Sequence, residues 1–439
     1  MTTRFLRVSA GVAVLLVLVL LASATAASGR GIGAPVRLEV KPLAPTITTK
    51  TVTVGTKPNF ALYDPATKEV YVANEGSKTV SAISSTTYAV TSIPVGTEPL
   101  LITYAPSTQD LYVLNFETSI SVISSANKVV KTITFPKGDI PVTQVYDPAN
   151  GDVYVICDTS TVPQINDINQ KTFALTPVSL PIGSLYAIYD NASSSLVVSG
   201  GMSNELTAIS SKDVPTTIKL TAGISPEWMV YNPNDKDLYI VDDGATTKGI
   251  SKTGNISVLT SANKITATVK IGAYPTLAFY DPANHDIYAM DTGIPSKPYP
   301  VSSVSIISGT TVSKTLTVGK YAVVAGYDPK NSEMYVSCPG SNLTYAITSG
   351  NAITAMVATP QYSTAAEYDP SLGDMLAVGF PTFGGTAAAN TIVTVIPSTN
   401  TGTSTVTLGK GPPGGVGYDP TDSGFFVVNS GTTTVSFIL

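Results

Sequence analysis

The chain carries one histidine, His285, and two cysteines, Cys157 and Cys338, which limits the chemistry its side chains can assemble. A single imidazole builds no multi-histidine metal centre, and no Ser-His-Asp relay can be assembled around it. His285 stands in the turn from Asp281 to Asp286, where a solvated histidine is the expectation. Four acidic residues, Glu227, Asp242, Asp243 and Asp291, offer oxygen ligands of the kind calcium takes, but their spacing matches no calcium loop. No metal and no cofactor are therefore expected. Carboxylates alone would still serve a lyase or lactonase, and that enzyme reading stands as an alternative without a visible constellation. Five aromatics, Tyr186, Trp228, Tyr274, Tyr321 and Tyr362, have faces that would stack on a sugar ring or grip a peptide side chain. What they can do together is set by the framework that holds them.

That framework is a repeat. Tyr-Asp-Pro begins at Tyr63, Tyr146, Tyr280, Tyr327, Tyr368 and Tyr418, with degenerate forms at Tyr104, Tyr189 and Tyr231. Successive markers stand 41 to 50 residues apart, the period of a four-strand propeller blade. Eight residues after each marker tyrosine comes an apolar or aromatic residue, from Tyr71 and Tyr112 through Val197 and Leu376 to Phe426. The register never slips, so the first two strands of each copy form a rigid hairpin whose turn opens with Asp or Asn and Pro. Second strands such as Val70 to Ala73 are continuous apolar runs, as a strand needs when both of its faces are covered. The ninth copy stops after its third strand at Leu439, whereas Thr48 to Val54 reads like an unattached fourth strand. The expected fold is all-β: a closed propeller of nine blades, with eight as the alternative, in which an N-terminal strand completes the last blade. Polar end caps of the kind a linear solenoid needs are not visible.

The segments Tyr71-Val-Ala-Asn74, Thr79-Val-Ser-Ala-Ile83 and Ile93-Pro-Val-Gly96 resemble the YVTN-type propeller repeat of exported and cell-surface proteins of archaea and bacteria. The resemblance covers about residues 47 to 439 and implies the fold and an exported location. Nine copies exceed the seven common in that family, so no family ligand site transfers blade by blade.

The repeat assigns places to the candidate residues. Tyr274, Tyr321 and Tyr362 stand six residues before their markers, at a level expected to ring the mouth of the central channel. Trp228 and Tyr186 stand three before theirs in the adjoining copies. Loops joining second to third strands should share this face with the connections between blades, and the long ones are Asp242 to Asn255, Asp291 to Ser303 and Gly379 to Asn390. Cys157 and Cys338 occupy equivalent sites in copies three and seven, too far apart across a ring for a disulfide. Two free thiols are expected.

Arg4 and Arg7 precede an apolar run from about Ala10 to Leu21 and a small-residue stretch, which reads as a signal peptide or a signal anchor over residues 1–26. Residues 27–46 are a linker and 47–439 the propeller. The expected location is extracellular or at the cell surface, with membrane contact only through the N-terminal segment. Asn191, Asn255 and Asn342 are candidate glycosylation sites, and Asn255 is placed in a long loop. With a formal net charge of −5 and no Lys/Arg cluster, the chain is poorly suited to nucleic acid, which stays the runner-up partner. A non-catalytic scaffold for a protein or glycan partner is the expected function.

Overall fold

The computed structural model describes residues 47–439 apart from 117–118, 159–163, 181–185, 201–203, 221–224, 243–244, 247–248, 251–252, 294–299, 361, 364 and 381–388. The expected leader and linker lie outside the described residues, and so does Asp243. Among the described residues there is no helix.

The marker folds as its residue types require. In eight copies the Asp or Asn after the tyrosine turns its Oδ1 onto the amide two residues on, at 2.7 to 2.9 Å. Copy two has Ala105 there and closes the turn through the Gln109 amide on the Ala105 carbonyl, at 2.8 Å. Five residues after every marker tyrosine the backbone is left-handed, with φ from 51° at Ser194 to 84° at Gly151. His285, at φ 66°, is one of these nine turn residues. Its Nδ1 lies 2.6 Å from Tyr280 Oη and its carbonyl accepts from Asn232 Nδ2, so the only histidine is accounted for by turn geometry.

Each turn starts a four-stranded antiparallel sheet, and there are nine. In blade 1 the strands are A, Pro58–Asp64; B, Glu69–Asn74; C, Thr79–Ser84; and D, Val90–Pro94. The same order recurs in blade 2 (99–134), blade 3 (140–179), blade 4 (187–219), blade 5 (226–270), blade 6 (275–320), blade 7 (324–358) and blade 8 (365–410). Blade 9 takes its A, B and C strands from 413–438, and its fourth is Thr49–Thr53, antiparallel to Thr434–Ile438 with Thr49 opposite Ile438. Backbone bonds continue the pairing one residue further, between Thr48 and Leu439 in both directions. Blade 9 also meets blade 1: Tyr63 Oη lies 2.7 Å from Thr421 Oγ1, and Tyr88 Oη donates to Asp422 Oδ2 at 2.8 Å. The chain is a nine-bladed propeller.

Packing follows from strand position. A strands of neighbouring blades touch, as Pro58–Asp64 does with both Pro99–Ala105 and Pro413–Asp419, which makes them the innermost strands. B and C strands are buried on both faces between blades, and D strands such as Val90–Pro94 expose most residues at the rim. Val, Ile and Tyr in B strands therefore form a core between sheets, each such side chain contributing about 1.5–3 kcal/mol when fully buried.

The residue eight after the marker is also a latch between blades. Tyr71, Tyr154, Tyr288 and Tyr335 each donate their hydroxyl to a side-chain oxygen in the C–D turn of the next blade: Asn127, Asp213, Asn351 and Asn400, at 2.6 to 2.7 Å. Tyr239 donates to the Gly309 carbonyl at 3.0 Å. All five acceptors lie at left-handed turn positions. There are departures on both sides of the seam: Tyr112 of blade 2 has Phe173 at the corresponding turn position of blade 3, and its buried hydroxyl has no partner. Val197 replaces the tyrosine in blade 4, and Asn263 of blade 5 is left with a buried Oδ1 lacking a partner. Leu376 of blade 8 faces blade 9, whose D strand is Thr49–Thr53 and does not follow its C strand in sequence.

Candidate functional site

The rim predicted to carry function is built by two backbone segments that clasp each other. The carbonyls of Lys57, Glu98 and Tyr274, in connections leading into an A strand, accept from the amides of Glu75, Phe116 and Thr292, at the start of B–C loops. Connections and B–C loops therefore share a face, as the strand alternation requires. Six residues before the marker the connection is left-handed, at Lys57, Glu98, Ser225, Tyr274, Tyr321 and Tyr362, with φ between 48° and 74°. Three successive blades, 6 to 8, thus place a half-buried tyrosine on this rim at the left-handed position that blades 1, 2 and 5 fill with Lys57, Glu98 and Ser225. The conformation costs a residue with a Cβ about 1–2 kcal/mol more than glycine, so these tyrosines are not there for the turn.

Beneath the rim, the residue eleven after the marker lies at the end of the B strand, and in blades 1, 2, 6, 7 and 9 it is covered by a glycine at or just past the D strand of the preceding blade. A Cβ on Gly96 would stand 2.6 Å from Asn115 Cγ, one on Gly409 2.6 Å from Asn429 Cγ, and one on Gly319 2.8 Å from Cys338 Cβ. This close approach puts the position inside the blade. Asp242 is fully buried and accepts from Ser257 Oγ at 2.9 Å. Asp291 accepts from Ser305 and Ser303 at 2.7 and 2.9 Å. Burial pushes the Asp291 carboxyl up to about 6, while the two serine hydroxyls and the Gly272 and Ser305 amides pull the other way. Both aspartates are thus interior members of a blade, where Asn74 and Asn429 play the same part with Ser and Thr hydroxyls. They were expected at the rim; Asp291 is covered by Gly272, where a Cβ would stand 2.5 Å from Asp291 Cγ, and Asp242 is buried with Ser257 bonded to it.

Cys157 and Cys338 occupy that interior position in blades 3 and 7 as free, buried thiols, and burial pushes each up to about 12. A thiol so far above neutrality is unreactive.

Tyr186 and Trp228 also leave the expected arc. Their rings stack with centroids 4.7 Å apart and planes 19° apart, and both residues are buried. Trp228 Nε1 donates to the Ala278 carbonyl in blade 6 at 3.0 Å. Standing three before their markers, they are inside the A strands' packing at the seams of blades 4, 5 and 6. Tyr274, Tyr321 and Tyr362 are what the structure leaves at the rim.

Of the long B–C loops, the one after Asp242 carries a small hairpin, Ala245–Thr246 with Gly249–Ile250, and the one after Asp291 ends in the extended pair Val301–Ser308 and Thr311–Lys320. Among the glycosylation candidates, Asn191 is exposed in its turn and Asn342 is half-buried at φ 57°. Asn255, expected in a loop, begins a C strand opposite Asp242. Among the described residues no three His, Cys, Asp or Glu side chains gather as a metal site.

Two acidic residues that the sequence reading passed over sit at core positions. Asp167 lies in the C strand of blade 3, Gln164–Ile168, opposite Tyr154. The corresponding residues of other blades are apolar, among them Ala82, Val122, Val258, Ile306 and Phe437. Glu367, in the A strand Ala365–Asp369 of blade 8, occupies a level held elsewhere by Leu62, Val145, Ile188, Val230 and Phe279. Both are buried, each with a carboxylate oxygen that has no hydrogen-bond partner.

No family model and no curated protein matches the chain, so the YVTN-type resemblance rests on the residues quoted for it. Solved structures do resemble it. The dihydro-heme d1 dehydrogenase NirN, in complex with DHE, is similar over 87% of this chain and 80% of its own, at 11% identity and a TM-score of 0.56. Virginiamycin B lyase from Staphylococcus aureus is similar over 89% of this chain and 99% of its own, at 13% identity and a TM-score of 0.45. The β-propeller domain of Myceliophteria thermophila Cps50 (Swd1) spans 89% and 99%, at 9% identity and 0.43. At such identities the likeness is one of fold and carries no activity.

Proposed function

We propose that this chain is an exported, non-catalytic binding scaffold: a closed ring of nine blades that presents its connection and B–C loop face to a glycan or protein partner. The observation that carries the reading is the tyrosine arc. Tyr274, Tyr321 and Tyr362 recur at one level in three adjacent blades, in a backbone conformation that glycine or asparagine would fill at lower cost. Half-buried rings held on rigid connections suit stacking on a sugar or clasping a peptide, because little rotamer freedom is left to lose on binding. The pairing of Thr49–Thr53 with the last strand supports closure of the ring. The basic, apolar leader at residues 1–26 supports export, as a cleaved signal or as an anchor. In an exported chain, exposed Asn191 is the glycosylation candidate best placed for a glycan.

The test is a glycan and peptide array probed with the full chain and with the Tyr274→Ala, Tyr321→Ala, Tyr362→Ala variant, with matched thermal melts as the control for folding. At least a tenfold loss of binding by the variant is expected, roughly 1.4 kcal/mol or more spread over three rings. Equal binding by both chains would remove the arc from the reading. The mass of chain recovered from the culture medium of an expressing host tests export: a species beginning at Ala27 is expected for a cleaved signal, and intracellular retention of all the chain would refute export.

A further inference from the structure

We infer that Asp167 and Glu367 make the contacts between blades pH-sensitive, the assembled fold being tightest in acid and loosening at the seams of blades 3/4 and 8/9 as the surroundings become alkaline. The inference stands on placement. Side chains directly opposite each other in an antiparallel pair share a face. Asp167 is opposite Tyr154, whose hydroxyl reaches Asp213 in blade 4, so the Asp167 carboxyl faces the 3/4 seam. Glu367 is opposite Leu376, which belongs to the apolar cluster shared with Val416, Phe425 and Val427 of blade 9, so it faces the 8/9 seam. The Asp167 level is apolar in the other blades, and the Glu367 level is apolar in five of them, with Thr103, Gly326 and Gly417 in the rest; here the repeat buries two acids with no compensating partner.

The surroundings offer neither acid a cation. The groups that act on Asp167 are Asp152 and Asp147 of its own blade and Asp213 across the seam; beside it, Tyr154 donates to Asp213, and Tyr112 of blade 2 is itself held well above its usual range by burial, with Asp110, Asp152 and Asp167 adding to it. Around Glu367, the packed strands carry Tyr327, Asp328, Glu333 and Cys338 of blade 7, Tyr368, Asp369 and Asp374 of its own, and Tyr418 and Asp419 of blade 9. The carboxylates among them are taken up in the turns: Asp328, Asp369 and Asp419 accept the amides of Lys330, Ser371 and Thr421, Asp374 accepts that of Ser398, and Glu333 binds Thr354 and Asn400. Among the described residues the ion pairs are Lys57 with Glu75 and Lys330 with Asp374, and neither includes Asp167 or Glu367. Burial, reinforced by Asp152, Asp213 and Asp147, holds Asp167 up at about 8; burial alone holds Glu367 at about 8.

The direction follows. An acid whose folded pKa lies above its unfolded one binds its proton more tightly in the folded chain, so its contribution is fully present below the unfolded carboxylate range and is lost as pH rises through about 8. Asp147, Asp281, Asp328 and Asp291 are shifted the same way, so they steepen the profile of the whole chain without reversing it.

Urea unfolding of the full chain and of the Asp167→Asn, Glu367→Gln double variant at steps from pH 5 to pH 8.5 separates the two acids from the rest. The unfolding constant of the natural chain is expected to rise by about a hundredfold or more across that range, and that of the variant by at least about tenfold less. Parallel profiles for the two chains would overturn the inference. Should the double variant not fold, infrared difference spectra of the natural chain decide. A carboxylic-acid carbonyl band surviving at pH 7 and vanishing with a midpoint near pH 8 is expected, and its absence at pH 7 overturns the inference.

Discussion

The latch between blades shows how one atom sets the worth of a turn residue. Asn263 and Asn351 occupy the same left-handed turn position in blades 5 and 7, at φ 57° and 61°. Asn351 Oδ1 receives the Tyr288 hydroxyl at 2.7 Å and the Asn284 amide at 3.1 Å, and its Nδ2 donates to Asp286. Blade 4 carries Val197 where the latching tyrosine would stand, and the Asn263 Oδ1 is buried without a partner. Glycine adopts this backbone readily, so Asn263→Gly relieves a buried orphan acceptor and should be neutral or stabilising by up to about 1 kcal/mol. Asn351→Gly strips three bonds and leaves Tyr288 and Asp286 short of partners, which should cost about 2–3 kcal/mol. Urea unfolding of the two variants checks this. Equal effects would mean the hydroxyl contacts contribute nothing across the seam.

At the scale of the strand, the sealing glycine decides what the end of a B strand can do. Gly96→Ala would force its Cβ to within 2.6 Å of Asn115 Cγ and push the amide off Ser119 and Ser121. The rigid hairpin behind it leaves little room to give, so a loss of about 1–3 kcal/mol is expected. Gly350→Ala, whose Cβ would meet only Thr348 Oγ1 at 3.6 Å in a C–D turn, should change stability by less than about 0.5 kcal/mol. Thermal melts of the two variants compare them directly, and similar losses would show the seal to be loose.

The same element explains what sequence reasoning could reach. Marker turn, hairpin register and blade count were legible because Asp, Asn and Pro in the turn and the residue eight places on are dictated by local backbone chemistry. Asp242 and Asp291 were misplaced because a carboxylate next to a long loop reads as exposed, and in the case of Asp291 the glycine covering it, Gly272, stands 19 residues earlier, just past the D strand of the preceding blade. Tyr186 and Trp228 were misplaced because a surface aromatic and one stacked between A strands have the same spacing from the marker. Asp167 and Glu367 were legible in principle: aligning third strands on Ala82 and Val122 isolates Asp167 in an apolar column, and aligning first strands on Leu62 and Val230 leaves Glu367 as the one charged residue of its column.

At the scale of the molecule, the distinctive property is that the blade completed by Thr49–Thr53 has the same pairing as the others but not the same covalent path. In blades 1 to 8 the C strand turns directly into the D strand, as Thr79–Ser84 does into Val90–Pro94. In blade 9 the D strand arrives from the other end of the chain, and Thr48 and Leu439 lie opposite each other with bonds in both directions. If the geometry of the sheet carries the stability, the path is interchangeable. A circular permutant that begins at Thr56 and joins Leu439 to Thr48 through Asn-Gly, a two-residue turn suited to antiparallel strands, should fold with the native strand order. Its melting temperature should stay within a few degrees of the parent's, since closing so short a loop costs little and the pairing is unchanged. A chain simply lacking residues 1–55 should melt lower and associate, because it exposes the edge of Thr434–Ile438 to other chains. Melts and light scattering of the three proteins separate these outcomes. A permutant as weak as the truncated chain would mean that Thr49–Thr53 is held by what precedes it and not by the last blade, and the ring would then be open.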